Sequence, residues 1–395
     1  MSGETGADLG QVTGMVSKEV IAGGIDVRVV RLEEIDDRTM REWLELEQRA
    51  LEPNAYLSPR LVVPAVRHLG FGGSVLLLCL ERAERTGPRL VGVGAFQSLA
   101  RSRHFPLPHL RAFRSPHSYL SGLLVGAEEA GSALRAFFRF LRGPDCPWHG
   151  VAFYDRSGGD ELDRGLTAAA VDAGAAWFEI ARTRRAVFVP AEAGERYVER
   201  VLGRDGAKNF RRRRRRLEEI GPVEWRSTAS DDAEAARRFI DLEHLGWRGE
   251  RGRSLKVRPG HAAFFEEMTR AFGAAGQGFF TELRVRERAI ASTINLIAQD
   301  VGFAFKLGWD PAYARYSPGL LNELELLRNA PQRWPHLRYF DSGADEGSFI
   351  DRLWSGRRTL VSGIYATSSL GKQAARCLGA ARRVKRWLRG GPVPR

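Results

Sequence analysis

Cysteine and long apolar runs are scarce in this sequence of 395 residues. Its three cysteines, Cys79, Cys146 and Cys377, are widely spaced, which argues against a disulfide framework and a cysteine-based zinc site. The longest apolar stretch, SVLLLCL at residues 74–80, has the length of a strand and is too short to cross a bilayer. The opening MSGETGADLG has neither a basic start nor an apolar core, so we expect no signal peptide. These absences predict a cytoplasmic protein without a metal site.

Lysine is also scarce, although the chain is strongly basic. Only six of the 61 basic residues are lysine, so arginine carries most of the positive charge behind the formal net charge of +13. Residues 204–216 hold eight basic residues and one acidic residue, and residues 371–395 hold eight basic residues and no acidic one. The rest of the chain is near neutral, so we expect two basic patches on a body of ordinary charge.

Two parts of the sequence repeat one order of predicted elements, β-α-α-β-β-β-α-β-α-β. In each part, hairpin strands separated by turn residues lead into one helical crossover and a further strand. This order predicts an α/β fold, more narrowly an α+β mixed sheet with helices on its faces, in two copies. In the first copy we predict the strand before the crossover at residues 118–125, SYLSGLLV.

The predicted organisation has five segments. Residues 1–24 are polar and glycine-rich, and we expect them to be disordered. Residues 25–190 and 222–367 are the two copies of the fold, joined by a basic helical connector at residues 191–221. Residues 368–395 are predicted to form a basic amphipathic helix.

The segment WDPAYARYSPGLLNELELL, residues 309–327, follows a predicted strand and starts the crossover helix of the second copy. Ser317 is a favourable N-cap residue, Pro318 suits the first helical position, and Gly319 allows close approach of the backbone. The first N–H groups of a helix have no partner within the helix, and with the helix dipole they favour an anion. The segment therefore predicts a phosphate-binding helix start, although an ordinary Ser-Pro helix start has the same pattern.

The order of elements matches the GNAT acyltransferase fold twice over, and several motifs narrow the resemblance. FKLGWDPAYARYSPGLLNELEL followed by YFDSGADEGSFIDRLW resembles the cellulose-biosynthesis (CelD/BcsL-type) family of GNAT acetyltransferases, which are relatives of the FemABX-like double-GNAT proteins. The segments NAYLSPRLVVPAV (54–66), LEHLGWRGERG (242–252) and KNFRRRRRRLEEIG (208–221) resemble further parts of that family. The resemblance extends over residues 26–366.

The resemblance implies tandem GNAT domains that transfer an acyl group, typically acetyl, from acetyl-CoA or another acyl-CoA. The implied acceptor is a small molecule or glycan, often a polysaccharide or cell-envelope precursor. FemABX relatives use aminoacyl-tRNA as the donor, so an aminoacyl-tRNA-dependent transferase is an alternative. In the donor signature that begins at Arg315, Pro318 and Leu320 stand in the glycine positions of the general GNAT pattern. A catalytically inactive scaffold that binds a membrane or an anionic polymer is therefore a third alternative.

Candidate site residues follow from the resemblance and from the chemistry of attack on a thioester. That reaction needs proton removal, carbonyl polarisation and often an acid for the leaving thiolate. Asp341, at a strand end that faces the crevice, is the predicted base, Tyr313 or Tyr316 the predicted acid, and Lys306 a further catalytic candidate. The predicted donor-binding positions are Arg315, Ser317, Pro318, Gly319 and Leu320. Other polar candidates are Asp310, Asp345, Glu346 and, as a second base, His244.

Six consecutive arginines, Arg211 to Arg216, lie in the predicted connector helix. Phe210, Leu217 and Ile220 fall on roughly one side of that helix, so the arginines fill the remaining surface. A solvated basic face explains this pattern, and so does an anionic partner: a lipid-linked or acidic glycan, the phosphates of CoA, or RNA. Aromatic residues are not interleaved with the arginines, which disfavours nucleic acid in general but leaves tRNA open.

The C-terminal segment, residues 370–390, combines an apolar stripe with many basic residues. The stripe follows helical spacing and consists of Leu370, Ala374, Cys377, Ala381, Val384 and Leu388. Such a helix suits the surface of an anionic bilayer, and a helix packed on the core with a wet basic face has the same pattern. We therefore expect a cytoplasmic protein that associates peripherally with the inner membrane through this segment.

Liposome flotation tests the membrane association. Each basic residue near an anionic surface contributes about 1 kcal/mol, and this attraction is screened by salt. The full chain is expected to float with anionic vesicles at low salt and to be released at high salt, whereas a chain that ends at Ser369 should bind much less. Equal flotation of both chains would contradict a role for this segment.

Overall fold

A computed structural model describes residues 24–246, 249 and 251–388, with side chains described up to residue 380. The predicted disordered segment, residues 1–24, lies outside the described residues except for Gly24.

The first copy of the predicted element order begins the chain. Its strands are β1 (Ile25–Arg31), β2 (Val75–Glu84), β3 (Gly87–Leu99), β4 (His109–Ala112), β5 (Leu124–Val125), β6 (Gly150–Gly158) and β7 (Ala176–Phe188). Its helices are α1 (Asp37–Gln48), α2 (Pro59–His68), α3 (Ala130–Leu141) and α4 (Glu161–Asp172). Helix α5 (Glu195–Glu218) then occupies the predicted connector, and it is kinked at Gly203, where φ is 66°.

The second copy repeats the order. Its strands are β8 (Val223–Ala229), β9 (Gly278–Val285), β10 (Arg288–Ala298), β11 (Val301–Trp309), β12 (Tyr339–Asp341) and β13 (Gly356–Ala366). Its helices are α6 (Ala233–Leu245), α7 (Pro259–Ala274) and α8 (Pro318–Arg333), and α9 (Ser369–Leu388) follows the last strand. The predicted repeat is confirmed, although the short helix expected near residues 346–353 is a single 3-10 turn, Phe349–Arg352.

The described chain divides into two compact units that interleave along the sequence. One unit contains residues 24–59, 71–183 and 359–388, and the other contains residues 60–70 and 184–358. Because these units follow contacts and not the repeat, the linear boundaries at residues 190, 222 and 367 stay a prediction.

In the first unit the strand order is β1-β2-β3-β4-β6-β13-β7. Neighbours from β1 to β4 are antiparallel, β4 and β6 are parallel, and β6 and β13 are antiparallel. Helices α3 and α4 cover one face, where Phe96, Phe137, Phe138 and Phe153 form a buried aromatic core. The predicted mixed sheet with helices on its faces is confirmed for this unit.

The second unit has the order β7-β12-β11-β10-β9-β8, with β11 and β12 parallel and the other neighbours antiparallel. Helix α8 lies on one face, where its apolar side chains pack with Phe340 and Trp334. Helices α6 and α7 lie on the other face, and Phe239 and Phe265 stack there. Both faces of the sheet are therefore covered, as the mixed-sheet prediction requires.

The strand predicted at residues 118–125 is wrong for most of its length. The sheet strand of this region is β4, and residues 124–125 form only the short β5 beside β3. Between them the chain is irregular but buried, and Gly122 adopts a φ of 156°. Pro116 and a series of serines interrupt regular pairing there, because proline lacks the ladder N–H and serine hydroxyls compete for backbone groups.

The C-terminal helix α9 begins on the first unit. Ala375 is buried beside Phe105 and Ile364, whereas Leu370 and Cys377, the first and third members of the predicted apolar stripe, are exposed. The side chains beyond residue 380 lie outside the described part of the chain. Since Ala375 belongs to a core cluster, truncation after residue 380 is a better flotation control than truncation at Ser369. Among the described residues, no helix is both long enough and apolar enough to cross a membrane.

Candidate functional site

Strands β11 and β12 separate in the middle of the second unit. They pair only from Val301–Tyr339 to Phe303–Asp341, where β12 ends, and β11 continues from Ala304 to Trp309. Strand β11 also carries one extra residue, Phe305, between the pairs Ala304–Asn295 and Lys306–Ile294 with β10. A bulge bends a strand and re-aims its side chains, and this one lies just beyond Phe303, the last residue of β11 that pairs with β12.

The chain leaves β11 through a 3-10 turn, Pro311–Tyr316, and enters α8 at Pro318. Asp310 accepts from the N–H of Ala312 at 2.9 Å and from Arg288 at 2.6 Å, which anchors the turn. The predicted role of Ser317 as a side-chain cap is wrong. Ser317 has left-handed backbone angles, φ 54° and ψ 57°, and its hydroxyl accepts from Arg213 of α5 in place of a helix N–H. The first-turn N–H groups of α8 therefore keep their capacity for an anion.

Two arginines of the six-arginine run face α8. Arg213 donates to the hydroxyl of Ser317 at the start of α8, and its guanidinium lies 5.4 Å from the ring centroid of Phe210. Arg214 donates to Glu325, two turns further along α8. A positive charge therefore stands beside the start of α8, where the backbone already favours an anion.

The first unit differs from the second at the corresponding parallel pair of strands. There β4 is the strand parallel to its neighbour, β6, and the irregular chain after β4 fills the space that follows: the N–H of Ser121 donates to the carbonyl of Asp155 at 3.2 Å. At the start of α3, the buried carboxylate of Glu129 accepts from Arg49 at 3.2 Å and from Arg89 at 2.6 Å. A carboxylate and the chain itself occupy this crevice, so a donor fits the second unit better.

Lys306 lies on β11 directly after the bulge. Its side chain is only 3% exposed, and its Nζ is 3.8 Å from Oε1 of Glu243 on α6. The other oxygen of Glu243 accepts from the N–H of Leu255 at 2.8 Å. The contact with Glu243 holds the lysine side chain in one position, and a fixed donor suits the polarisation of a carbonyl.

Asp341 is completely buried at the end of β12. One oxygen accepts from the N–H of Gly343 at 2.8 Å, and the other accepts from Arg358 at 3.0 Å; Arg185 lies 3.7 Å away. The preceding residue, Phe340, packs under α8, so Asp341 points to the face that α6 covers, which Lys306 also faces. Two guanidinium groups contact this carboxylate and fix its position at the end of β12.

Tyr313 and Tyr316 lie on the opposite face. Their ring centroids are 6.4 Å apart, and Tyr316 is buried with Leu217 and Leu321 between α5 and α8. The guanidinium of Arg315 lies 4.7 Å from the centroid of the Tyr316 ring. The structure therefore brings Lys306 and Asp341 to one face of the sheet and the two tyrosines to the other.

The remaining polar candidates are scattered. His244 is exposed on α6, with its Nδ1 2.8 Å from the hydroxyl of Ser254. Asp345 and Glu346 are exposed in the loop after β12, and Glu346 accepts from the N–H of Arg184 at 3.1 Å. Within the described part of the chain, no three His, Cys, Asp or Glu side chains are grouped so as to hold a metal ion.

Sequence reasoning missed Glu323, one turn into α8. It is fully buried, and burial raises the pKa of its carboxyl group to about 7. Thr293 of β10 donates to one oxygen at 2.8 Å, and the other has no hydrogen-bond partner among the described residues. Both amide atoms of Asn295, on the same face of β10, also lack a partner among these residues. The signal was present in the sequence, because Glu323 follows Gly319 by four positions and therefore lies on the buried stripe of the helix.

Comparison with known proteins agrees with this geometry. Residues 204–349 match the family model for an acetyltransferase (GNAT) domain. FemX is 10% identical, with 82% of this chain and 95% of that chain covered and a TM-score of 0.51. Residues 204–349 therefore form an acyltransferase domain of GNAT fold. The predicted fold and enzyme class are thus confirmed.

Two further solved structures share this fold. The C-terminal domain of a proposed lysylphosphatidylglycerol synthetase from Agrobacterium fabrum is 13% identical, covering 87% of this chain and 95% of that chain, with a TM-score of 0.50. A conserved protein of unknown function from Bacteroides thetaiotaomicron is 11% identical, covering 84% and 99%, with a TM-score of 0.51. No curated protein matches the sequence. At these identities the likeness concerns the fold.

The buried carboxyl of Glu323 should make stability depend on pH. Because its pKa is raised in the folded state, the folded protein keeps a proton between pH 4.5 and about 7 that the unfolded chain has released. As pH rises through that window, the Glu323 carboxyl group therefore reduces the free energy of unfolding of the protein. The reduction is about 2–3 kcal/mol between pH 5 and pH 8. Glu323→Gln should remove this part of the pH dependence in urea unfolding. The exposed Glu219→Gln is the control, and parallel profiles for wild type and Glu323→Gln would contradict the assignment.

Proposed function

We propose that this GNAT protein is an acyl-CoA-dependent acyltransferase that uses acetyl-CoA and acts on a polysaccharide or cell-envelope precursor. The observation that carries the donor assignment is the start of α8, where first-turn N–H groups, the Ser317 hydroxyl and Arg213 lie next to the edge of β11 that β12 leaves. The glycan acceptor is supported by the resemblance to the CelD/BcsL-type family.

In this proposal the pyrophosphate of CoA lies on the first turn of α8. The N–H groups of Gly319 and Leu320 and the guanidinium of Arg213 are its donors, because backbone N–H groups serve irrespective of the side chain. Pro318 and Leu320 depart from the general signature. Only Pro318 removes a backbone N–H donor from the helix start, because Leu320 keeps its N–H. The pantetheine arm extends along β11 beyond Phe303, where a strand-like ligand has backbone groups to pair with.

Transfer then follows from attack of an acceptor amine or hydroxyl on the thioester carbonyl. A bond from the acceptor nitrogen or oxygen to the acyl carbon forms, the carbon–sulfur bond breaks, and the acceptor proton passes to a base while the thiolate takes up a proton. Lys306, held by Glu243 beside the bulge, is suited to polarise the carbonyl. Asp341, on the same face of the sheet as Lys306, is the proposed base, whereas Tyr313 and Tyr316 lie on the opposite face and are not assigned as the acid in this proposal.

An aminoacyl-tRNA-dependent transfer is the second candidate, and one observation favours it. Four arginines of the run, Arg211, Arg212, Arg215 and Arg216, are exposed on α5, which is more positive charge than a pyrophosphate requires. A polyanion such as RNA gains affinity from each neutralised phosphate. For either donor we propose that the protein works in the cytoplasm, at the inner membrane surface that the basic α9 segment contacts.

Binding of acetyl-CoA to Arg213→Gln and Arg214→Gln tests the donor site. Both arginines are half-buried neighbours that tie α5 to α8, but only Arg213 stands at the helix start. Loss of a hydrogen bond to a charged group costs about 1.5–3 kcal/mol, so Arg213→Gln should weaken binding about 10- to 100-fold in calorimetry, and Arg214→Gln should leave it within about 2-fold. These variants are sharper than Gly319→Glu, since a Cβ at Gly319 would lie 3.2 Å from the Leu307 side chain and disturb packing.

Equal affinities for the two variants and wild type would contradict the donor site. Binding of an aminoacyl-tRNA by a wild-type protein that does not bind acetyl-CoA would establish the second candidate in place of the first.

A further inference from the structure

The six-arginine run divides into faces because α5 turns by about 100° per residue. Arg213 and Arg214 face α8. Viewed down the axis of α5, Arg216 lies about 60° and Arg212 about 100° from Arg213, both on the side away from Arg214. Arg211 and Arg215 lie on the far side of the helix, about 160° from Arg213. The exposed arginines therefore form two pairs, one that flanks Arg213 and one that faces away.

The contacts of α5 with α8 show which way the flanking pair faces. Arg214 reaches Glu325, two turns into α8, and Arg213 reaches Ser317, at its start. On the surface of α5, Arg213 therefore lies closer to the N-terminus of α8 than Arg214 does. Arg216 and Arg212 lie beyond Arg213 on the side away from Arg214, so they lie past the start of α8. This pair thus borders the space in front of α8, where the donor's phosphate groups bind in the proposed function.

Among the described residues, no carboxylate forms an ion pair with Arg212 or Arg216. Arg212 donates to the amide oxygen of Asn209 at 3.2 Å, and Arg216 forms neither a hydrogen bond nor an ion pair with a described residue. Arg214, by comparison, contacts the carboxylates of Glu218 and Glu325. Two exposed guanidinium groups, about one helical turn apart, present the fork of donors that a phosphate monoester accepts.

We propose that Arg212 and Arg216 bind the 3′-phosphate of the donor's adenosine. Acyl-CoA carries this dianionic monoester on the ribose next to the pyrophosphate, so a pyrophosphate on the first turn of α8 leaves the 3′-phosphate just in front of the helix start. The pair then distinguishes acyl-CoA from its 3′-dephospho form. This inference rests on the proposed function and adds the group that selects the donor.

The test compares acetyl-CoA with acetyl-dephospho-CoA on the full-length protein by calorimetry. Wild type should bind acetyl-CoA about 10- to 100-fold more tightly, as expected for one or two charge-assisted contacts. The double variant Arg212→Gln/Arg216→Gln should lose that preference and bind acetyl-dephospho-CoA as wild type does. The matched control, Arg211→Gln/Arg215→Gln, removes the same charge from the far side of α5 and should keep the preference.

The possible outcomes separate this inference from the proposed function. Equal binding of both ligands by wild type overturns the 3′-phosphate site and leaves the donor assignment intact. Equal loss of preference in both double variants overturns it as well, because general attraction would then explain the effect. A wild-type protein that binds neither ligand overturns both proposals, and binding of a tRNA by that protein assigns the arginines to RNA.

Discussion

The short parallel pairing between β11 and β12 is the constraint on which the second unit depends. It ends at Phe303 and Asp341, and the ion pairs of Asp341 with Arg358 and Arg185 fix that end. Breaking a buried ion pair from one side costs about 3–5 kcal/mol, because it leaves a buried charge uncompensated. This anchor therefore stabilises the point at which β11 loses its pairing with β12. A structural role for Asp341 at the strand end does not conflict with its proposed role as the base.

Electrostatics around α8 are organised by helix geometry more than by the number of arginines. The six consecutive arginines on α5, Arg211 to Arg216, have different environments, because a helix distributes consecutive residues around its axis. Two of them tie α5 to α8 at Ser317 and Glu325, and four remain exposed. The same run of sequence is therefore at once a structural contact and a basic surface. The four exposed arginines agree with the predicted solvated basic face, and binding of an anionic partner stays a prediction.

The two copies of the element order illustrate how one fold can keep or lose a crevice. In the second copy a bulge and a short strand leave space beside β11. In the first copy the chain after β4 occupies the comparable space, and Glu129 with its arginines occupies the helix start. Element order alone does not distinguish these cases, because both have a strand, a connection and a crossover helix. The difference lies in the length and packing of the connection.

The order of strands and helices, the connector helix and the start of α8 were determined by the sequence, because hydrophobic periodicity and helix-start residues act locally. The failures were non-local. The irregular chain at residues 118–123 was predicted to be part of a strand, although its burial depends on partners far along the sequence. Ser317 was read as a cap, although Arg213, a residue 104 positions earlier, takes its hydroxyl. Glu243 and Glu323 are buried only because α6 and α8 pack on opposite faces of the sheet. Local patterns specify which elements form, and the burial and charge environment of each side chain are decided only when distant elements pack together.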